Sequence, residues 1–177
     1  MSAVVWEVDG CEGRRDILLT LVARYLSAMD DLVPSERDDP FAQLAAELDH
    51  DPSTVLDEDP SLARLFPPAL DDAEEAQRFR RDVVVQQART RMDVAGTVLA
   101  DLSVGEDDVV VVPLDHIDKW VMTLSAIRAQ WHVELTGDAD RMSIATRADG
   151  RRNPAAAAVC DWLGFLIEDA LETKALA

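Results

Sequence analysis

The sequence is poor in lysine and in positive charge overall. Only Lys119 and Lys174 are lysines, and 17 Lys and Arg residues stand against 35 Asp and Glu, which gives a formal net charge of −18. A surface this acidic repels the phosphates of nucleic acids and the headgroups of anionic lipids. We therefore expect neither a nucleic acid nor a membrane among the partners of this protein.

Residues and motifs that commonly carry chemistry are also scarce. The two cysteines, Cys11 and Cys160, match no metal or redox spacing, which predicts idle thiols in a reducing cytosol. Seven glycines are spread singly and form no phosphate-binding loop, and no G-x-S-x-G motif occurs. The chain begins without the pattern of a signal peptide and holds no long apolar run. These absences predict a soluble, cytoplasmic protein without a cofactor.

The histidines and carboxylates point to no catalytic or metal site. His50, His116 and His132 form no H-x-x-x-H pair, so no metal site is predicted. Carboxylates are so abundant that the sequence singles out no pair of them as a general acid and base. No catalytic residue is predicted, and a non-enzyme is favoured over an enzyme.

The hydrophobic pattern predicts a mainly α-helical bundle in one domain, residues 1–177. Asp71 or Asp72, Asp115 and Asn153 are predicted helix N-caps. Two β-prone segments, residues 3–8 and 109–112, predict a minor two-stranded element. Trp120, Trp131 and Trp162 are expected to anchor the core. The four main helices are expected at residues 14–32, 71–102, 114–135 and 154–172, together with several short helices.

An acidic, proline-rich segment, about residues 33–70, follows the first predicted helix. Residues 30–75 hold six of the eight prolines and 15 acidic residues against two basic ones. Short helices are predicted at 41–48 and 61–66, with an exposed, irregular stretch (DHDPSTVLDEDP) between them. The later stretch TRADGRRN is expected to be a surface turn. The acidic segment is either a solvated face or a docking surface for a basic partner.

Arginines cluster on the long predicted helix, where Asp82 is the only acidic residue among them. One interpretation is structural: Arg80 or Arg81 pairs with acids such as Asp71, Asp72 or the 57–59 run, and Arg80→Ala then lowers the melting temperature. The alternative is a binding site for an anion or an acidic peptide, formed by Arg80, Arg81 and Arg128. The cluster consists of Arg78, Arg80, Arg81, Arg89 and Arg91.

Residues 64–81, RLFPPALDDAEEAQRFRR, resemble the signature of an uncharacterised actinobacterial family of about this length. The helix WVMTLSAIRA is similar to a second family segment, and Trp120, Leu124 and Arg128 match it. Ser125 and Ala126 stand where the family has Asn and Asp. The resemblance covers nearly the whole chain and implies a domain with no assigned activity. Genes of this family often lie near those for the adaptor of the Clp protease and for a JAMM-type metallopeptidase.

The acidic composition and this resemblance together lead to an expectation about function. We expect a non-catalytic protein-interaction or regulatory module with a protein partner, linked by gene neighbourhood to protein turnover. The alternative is a small-anion or ligand-binding protein, with an enzyme less favoured. Association into a homo-oligomer is left open by the sequence.

Overall fold

Eight α-helices and one two-stranded sheet form the part of the chain that the structure describes. The structure is a computed structural model that describes residues 5–67, 73–104, 108–140 and 142–177. The helices are α1 (Arg14–Asp30), α2 (Pro40–Asp49), α3 (Pro52–Glu58), α4 (Pro60–Leu65), α5 (Ala73–Ser103), α6 (Ile117–Thr136), α7 (Arg147–Arg152) and α8 (Pro154–Ala175). Within α5, side chains are described at Glu75 and from residue 83 onward.

The sheet confirms the predicted strand pair. Strand β1 (Val5–Asp9) pairs antiparallel with β2 (Val109–Pro113), and Trp6 lies opposite Val112. Side chains alternate between the two faces of a strand, so each strand buries every second residue. The small sheet therefore contributes one apolar face to the core.

The helices pack around one large hydrophobic cluster. Helix α6 packs against α8, α4 and α5, while α1 packs against α5, and α3 also contacts α5. Trp120 of α6 is fully buried, whereas Trp131 and Trp162 are partly buried at the edge of the cluster. The predicted class, a mainly α-helical bundle with a minor β element, is confirmed.

Local signals at several helix ends are also confirmed. The Asn153 side chain accepts a hydrogen bond from the Ala156 amide at 3.2 Å, and Pro154 occupies the first helical position of α8. Gly137 ends α6 with a positive φ of 72°, a conformation that glycine adopts without steric cost. These residues set the boundaries of α6 and α8 as the sequence predicts.

The expectation that DHDPSTVLDEDP is exposed and irregular was wrong. Residues 52–58 form helix α3, which begins because the Asp51 side chain accepts a hydrogen bond from the Ser53 amide at 3.0 Å. Pro52 has the backbone geometry of a first helical turn. Leu56 is only 2% exposed, so burial against the core stabilises a helix too short to form alone.

Two further local predictions were wrong. Asp115 does not cap α6, since residues 114–116 form a 3₁₀ turn and the helix begins at Ile117 without a side-chain cap. The TRADGRRN stretch is not a simple turn, because it contains helix α7. There Thr146 and Asp149 form a capping box, with the Asp149 carboxylate accepting from the Thr146 amide at 2.8 Å.

Some predictions fall on residues that the structure does not describe. The N-caps predicted at Asp71 and Asp72 lie outside the described residues, as do the side chains of Arg80 and Arg81. Their predicted pairing with acids stays a prediction. No described helix combines the length and the apolar character that crossing a bilayer requires.

Candidate functional site

Of the three predicted anion-binding arginines, Arg128 is the one whose side chain the structure describes. It projects from α6 toward α8, where its Nε donates a hydrogen bond to the Cys160 carbonyl oxygen at 3.0 Å. A carbonyl oxygen has two lone pairs, so it can accept this bond in addition to one within the helix. Gly164, one turn further along α8, lies beside the guanidinium, and a Cβ there would be in van der Waals contact with Nε at 3.4 Å. Arg128 is an exposed residue, and this hydrogen bond holds its side chain against α8.

Arg128 lines a cavity of about 530 Å³, which we call the Arg128 cavity. Arg64 of α4 and His132 of α6 line it too, so basic side chains from two helices meet there. Arg64 donates hydrogen bonds to the Asp140 carbonyl and, at 3.2 Å, to the Ser143 hydroxyl. The loop residue Ser143 also lies 3.0 Å from Nε2 of His132. A hydroxyl thus links the arginine of one helix to the histidine of another.

The environment of His132 favours its neutral form. Burial and the nearby positive charge of Arg64 lower the pKa of His132, and Arg128 adds to the effect. Hydrogen bonding with Ser143 and the charge of Asp138 act in the opposite direction. The lowering effects prevail, so burial together with the positive charges of Arg64 and Arg128 disfavours the protonated imidazole. A negative charge in the cavity would relieve this repulsion.

The other two histidines are bound within the fold. Nδ1 of His116 lies 3.0 Å from a carboxylate oxygen of Asp101, which also accepts the Trp120 indole N–H at 2.9 Å. Nε2 of His50 lies 2.9 Å from the Leu32 carbonyl oxygen. Among the residues that the structure describes, no three His, Cys, Asp or Glu side chains are grouped as a metal ion would need.

The two cysteine thiols are not activated. Burial raises the pKa of Cys160, and a hydrogen bond with Asp9 is the main cause that raises the pKa of Cys11. Reactive cysteines need the opposite shift, because the thiolate is the nucleophile. Both thiols are free, as the sequence predicts.

Helix α2 carries a second unusual surface. Its residues are all described, and none of them is buried. Phe41, Leu44 and Leu48 are 82%, 53% and 71% exposed, respectively. At positions i, i+3 and i+7 of a helix, they lie on one face. We call these three side chains the α2 apolar stripe.

Residues of both surfaces were missed by the sequence-based prediction, although signals for them exist. The Phe41–Leu48 spacing predicts a helix with one apolar face, but such a pattern usually faces a core. Arg64 lies in the family-like segment, yet nothing in one sequence places it beside Arg128, 64 positions later. The Arg128 cavity therefore arises from tertiary packing alone.

Comparison with known proteins places the chain in a family. A family model described as "Domain of unknown function (DUF2017)" matches residues 2–173. No curated protein and no solved structure matches the chain. The expected membership of an uncharacterised family is confirmed, whereas the actinobacterial origin and the gene neighbourhood stay predictions. Because the match spans nearly the whole chain, the protein belongs to the DUF2017 family.

Proposed function

We propose that this protein is a non-catalytic interaction module that inserts the α2 apolar stripe into an apolar, basic-rimmed groove of a partner protein. The observation that carries the proposal is the exposure of Phe41, Leu44 and Leu48 on a single helix face. Scattered exposed apolar residues are ordinary on protein surfaces, but a contiguous apolar face marks an interaction site. An amphipathic helix with such spacing is a common recognition element.

An ordinary surface helix turns its apolar face to the core, whereas α2 turns its apolar face to solvent. Gln43 and Ala46, on the side opposite the stripe, are its half-buried residues and face the body of the protein. A cavity of about 790 Å³, lined in part by Gln43, Arg89 and Met92, lies between α2 and α5. Since α2 contributes little to the core, its apolar side chains are available to a partner.

The helix is already formed and positioned before any partner binds. The Asp39 side chain caps it by accepting from the Ala42 amide at 2.9 Å, and Pro40 occupies its first turn. Just after its C-terminal end, His50 is tied to the Leu32 carbonyl. A preformed helix avoids much of the entropy loss that a disordered segment pays on binding. Full burial of each stripe side chain would contribute about 1.5–3 kcal/mol before the cost of association.

The charges around the stripe indicate the kind of partner. Residues 36–51 include six acidic residues and one basic residue, Arg37. Charge complementarity favours a groove rimmed by Lys or Arg, because like charges across an interface weaken binding. A second copy of this chain would bring two acidic segments together against a net charge of −18 on each chain. A different, basic-rimmed protein is therefore the occupant we propose.

Protein turnover is the cellular process in which we place the interaction. The support is the family resemblance, which carries the expectation that genes of that family often lie near the gene for the adaptor of the Clp protease. Clp components are accordingly the first partners to examine. If the partner proves to be another protein, the interaction function stands and the link to turnover fails.

Site-specific cross-linking through α2 tests the proposal. The photoreactive amino acid benzoylphenylalanine is incorporated at position 44 in cells that naturally produce the protein. It should cross-link to one partner protein, and the cross-linked peptide of that partner should contain apolar residues together with Lys or Arg. The double variant F41S/L48S should lose this cross-link. The matched control Phe165→Ser, at a 64% exposed position of α8, should retain it.

Three results would overturn the proposal. They are the absence of any cross-linked protein, cross-linking only to a second copy, and an undiminished cross-link in F41S/L48S. The variants should fold, because the substituted side chains are exposed, and circular dichroism checks this directly.

A further inference from the structure

The Arg128 cavity combines features of a site for a small anionic molecule. Its volume of about 530 Å³ lies within the range of small-molecule sites in proteins, about 300–1,000 Å³. Arg64, Arg128, His132 and Ser143 supply polar groups along part of its lining. Such a mixed wall suits a ligand with one charged end.

The remaining lining is largely apolar. Leu135 of α6 and Ile167 of α8 contribute to it, as does Ile144 from the loop before α7. Ile144 is 84% exposed, so this wall lies at the mouth of the cavity and is open to an incoming molecule. An aliphatic chain in contact with these residues would bury apolar surface on both sides.

From this arrangement we infer that the Arg128 cavity binds a small carboxylic acid, with its carboxylate beside Arg64 and Arg128 and its aliphatic chain against Ile144 and Ile167. Guanidinium groups match the planar geometry of a carboxylate. The Ser143 hydroxyl can rotate to donate to the same anion. This binding function is separate from the α2 apolar stripe, which lies on another helix.

The charges that face the cavity favour an anion even though the whole protein is acidic. Arg64 and Arg128 line it, while Asp161 is the one acidic residue in its lining among the described residues. Burial is the largest cause that lowers the pKa of His132, and the charges of Arg64 and Arg128 lower it further, with Asp138 acting against them. A bound carboxylate would stabilise the protonated imidazole, so it should raise the pKa of His132. By linkage, protonation of His132 should tighten carboxylate binding by the same factor.

Titration of the full-length protein with hexanoate tests this inference. The ring signals of His132 in an NMR spectrum should shift saturably, and hexanoate should raise the pKa of His132. Calorimetry should show tighter binding at about pH 5.5 than at about pH 8, the range in which an imidazole titrates. Hexanamide, the neutral analogue, should bind at least about tenfold more weakly because it lacks the charge that the arginines contact.

Variants separate the cavity from the rest of the surface. Arg128→Gln should weaken hexanoate binding at least about tenfold, since it removes one charged donor. Asp161→Asn should tighten binding because it removes the opposing charge. Arg89→Gln, at an exposed position of α5 outside the cavity lining, is the matched control and should leave binding unchanged.

The inference fails if hexanoate gives no saturable shift of the His132 signals. It also fails if hexanamide binds as well as hexanoate, or if Arg128→Gln binds as tightly as the unaltered protein. None of these results depends on cross-linking through α2, so this inference and the proposed function can fail independently.

Discussion

The indole rings of Trp6 and Trp120 meet edge to face, with centroids 5.4 Å apart and planes at 87°. Each indole N–H donates to a carboxylate on a different helix, Trp6 to Asp169 of α8 at 2.8 Å and Trp120 to Asp101 of α5 at 2.9 Å. Edge-to-face aromatic pairs contribute about 0.5–1.5 kcal/mol beyond the burial of their area. This one pair therefore connects the sheet to α5, α6 and α8.

The hydrogen bonds to Asp101 should make this residue important for stability. Asp101→Ala leaves the buried Trp120 N–H without its acceptor and removes the partner of His116. An unsatisfied buried donor costs about 1–3 kcal/mol, so we expect the free energy of unfolding to fall by at least that amount. Urea denaturation followed by tryptophan fluorescence measures the change.

A surface carboxylate serves as the control for Asp101. Asp118 lies on α6 and pairs with Lys174 at 2.5 Å, but its side chain is 68% exposed. Surface ion pairs contribute about 0–1 kcal/mol, so Asp118→Ala should have a small effect. Equal losses for the two variants would contradict the anchoring role of Asp101.

Two glycines should respond to alanine in opposite directions. Gly96 lies within α5, and a Cβ there would meet no described atom beyond the helix's own backbone within 4 Å. Gly96→Ala should stabilise the protein by about 0.8–1 kcal/mol through helix propensity.

At Gly10, a Cβ would lie only 2.8 Å from the Asp108 carbonyl oxygen, to which the Gly10 amide also donates. Gly10→Ala should therefore lower the melting temperature, and a rise would contradict the close approach seen there.

Leucine-to-alanine variants at positions 48 and 56 test whether α2 contributes to the core. Leu48 is 71% exposed, and its replacement should change the free energy of unfolding by less than about 0.5 kcal/mol. Leu56, on the next helix, is 2% exposed, and Leu56→Ala should cost about 2–5 kcal/mol. Chemical denaturation of both variants provides the comparison. A large loss for Leu48→Ala would mean that the stripe is held against the protein and is not free for a partner.

Stability should depend on pH through His132. Its pKa is lowered in the folded state, so the unfolded chain binds this proton more readily. The contribution of His132 to stability is therefore complete above the unfolded pKa of about 6.5 and is lost as the pH falls through the folded value. His132→Gln should reduce the loss of melting temperature between about pH 7.5 and about pH 5.

At still lower pH, stability depends on a different group, Asp149. Hydrogen bonds from Thr146 are the main cause that lowers the pKa of Asp149 to about 2, so its contribution is lost only at much lower pH. If the melting temperature of His132→Gln falls between about pH 7.5 and about pH 5 as much as that of the unaltered protein, other groups dominate the pH dependence in that range.

Much of the fold was predictable because its signals are local. The apolar spacing of α1, α6 and α8, the Asn153-Pro154 start and the Gly137 end each depend on neighbours within one or two helical turns. The pairing of β1 with β2 was also predicted correctly, because the chain offers two β-prone segments. Helix α3 was missed, since a helix of seven residues is too short to form alone and depends on the burial of side chains such as Leu56, and burial is not a local property.

The candidate sites were less predictable. Arg128 was singled out, but Arg64 and His132 were not expected beside it, and the side chains of Arg80 and Arg81 lie outside the described residues. The α2 apolar stripe has a clear spacing in the sequence. Its exposure could not be inferred, because the same spacing normally predicts a buried face.

The sequence by itself determined the helical class, the acidic surface and the ends of several helices, since composition, periodicity and capping are properties of short stretches of chain. Only the tertiary structure decided which side chains meet. It brought Trp6 into contact with Trp120, placed Arg64 and Arg128 in the lining of the same cavity, and exposed the apolar face of α2 to solvent. Such contacts depend on how distant segments pack together, and segment packing is set by the shape and burial of the whole core rather than by any single pattern in the chain.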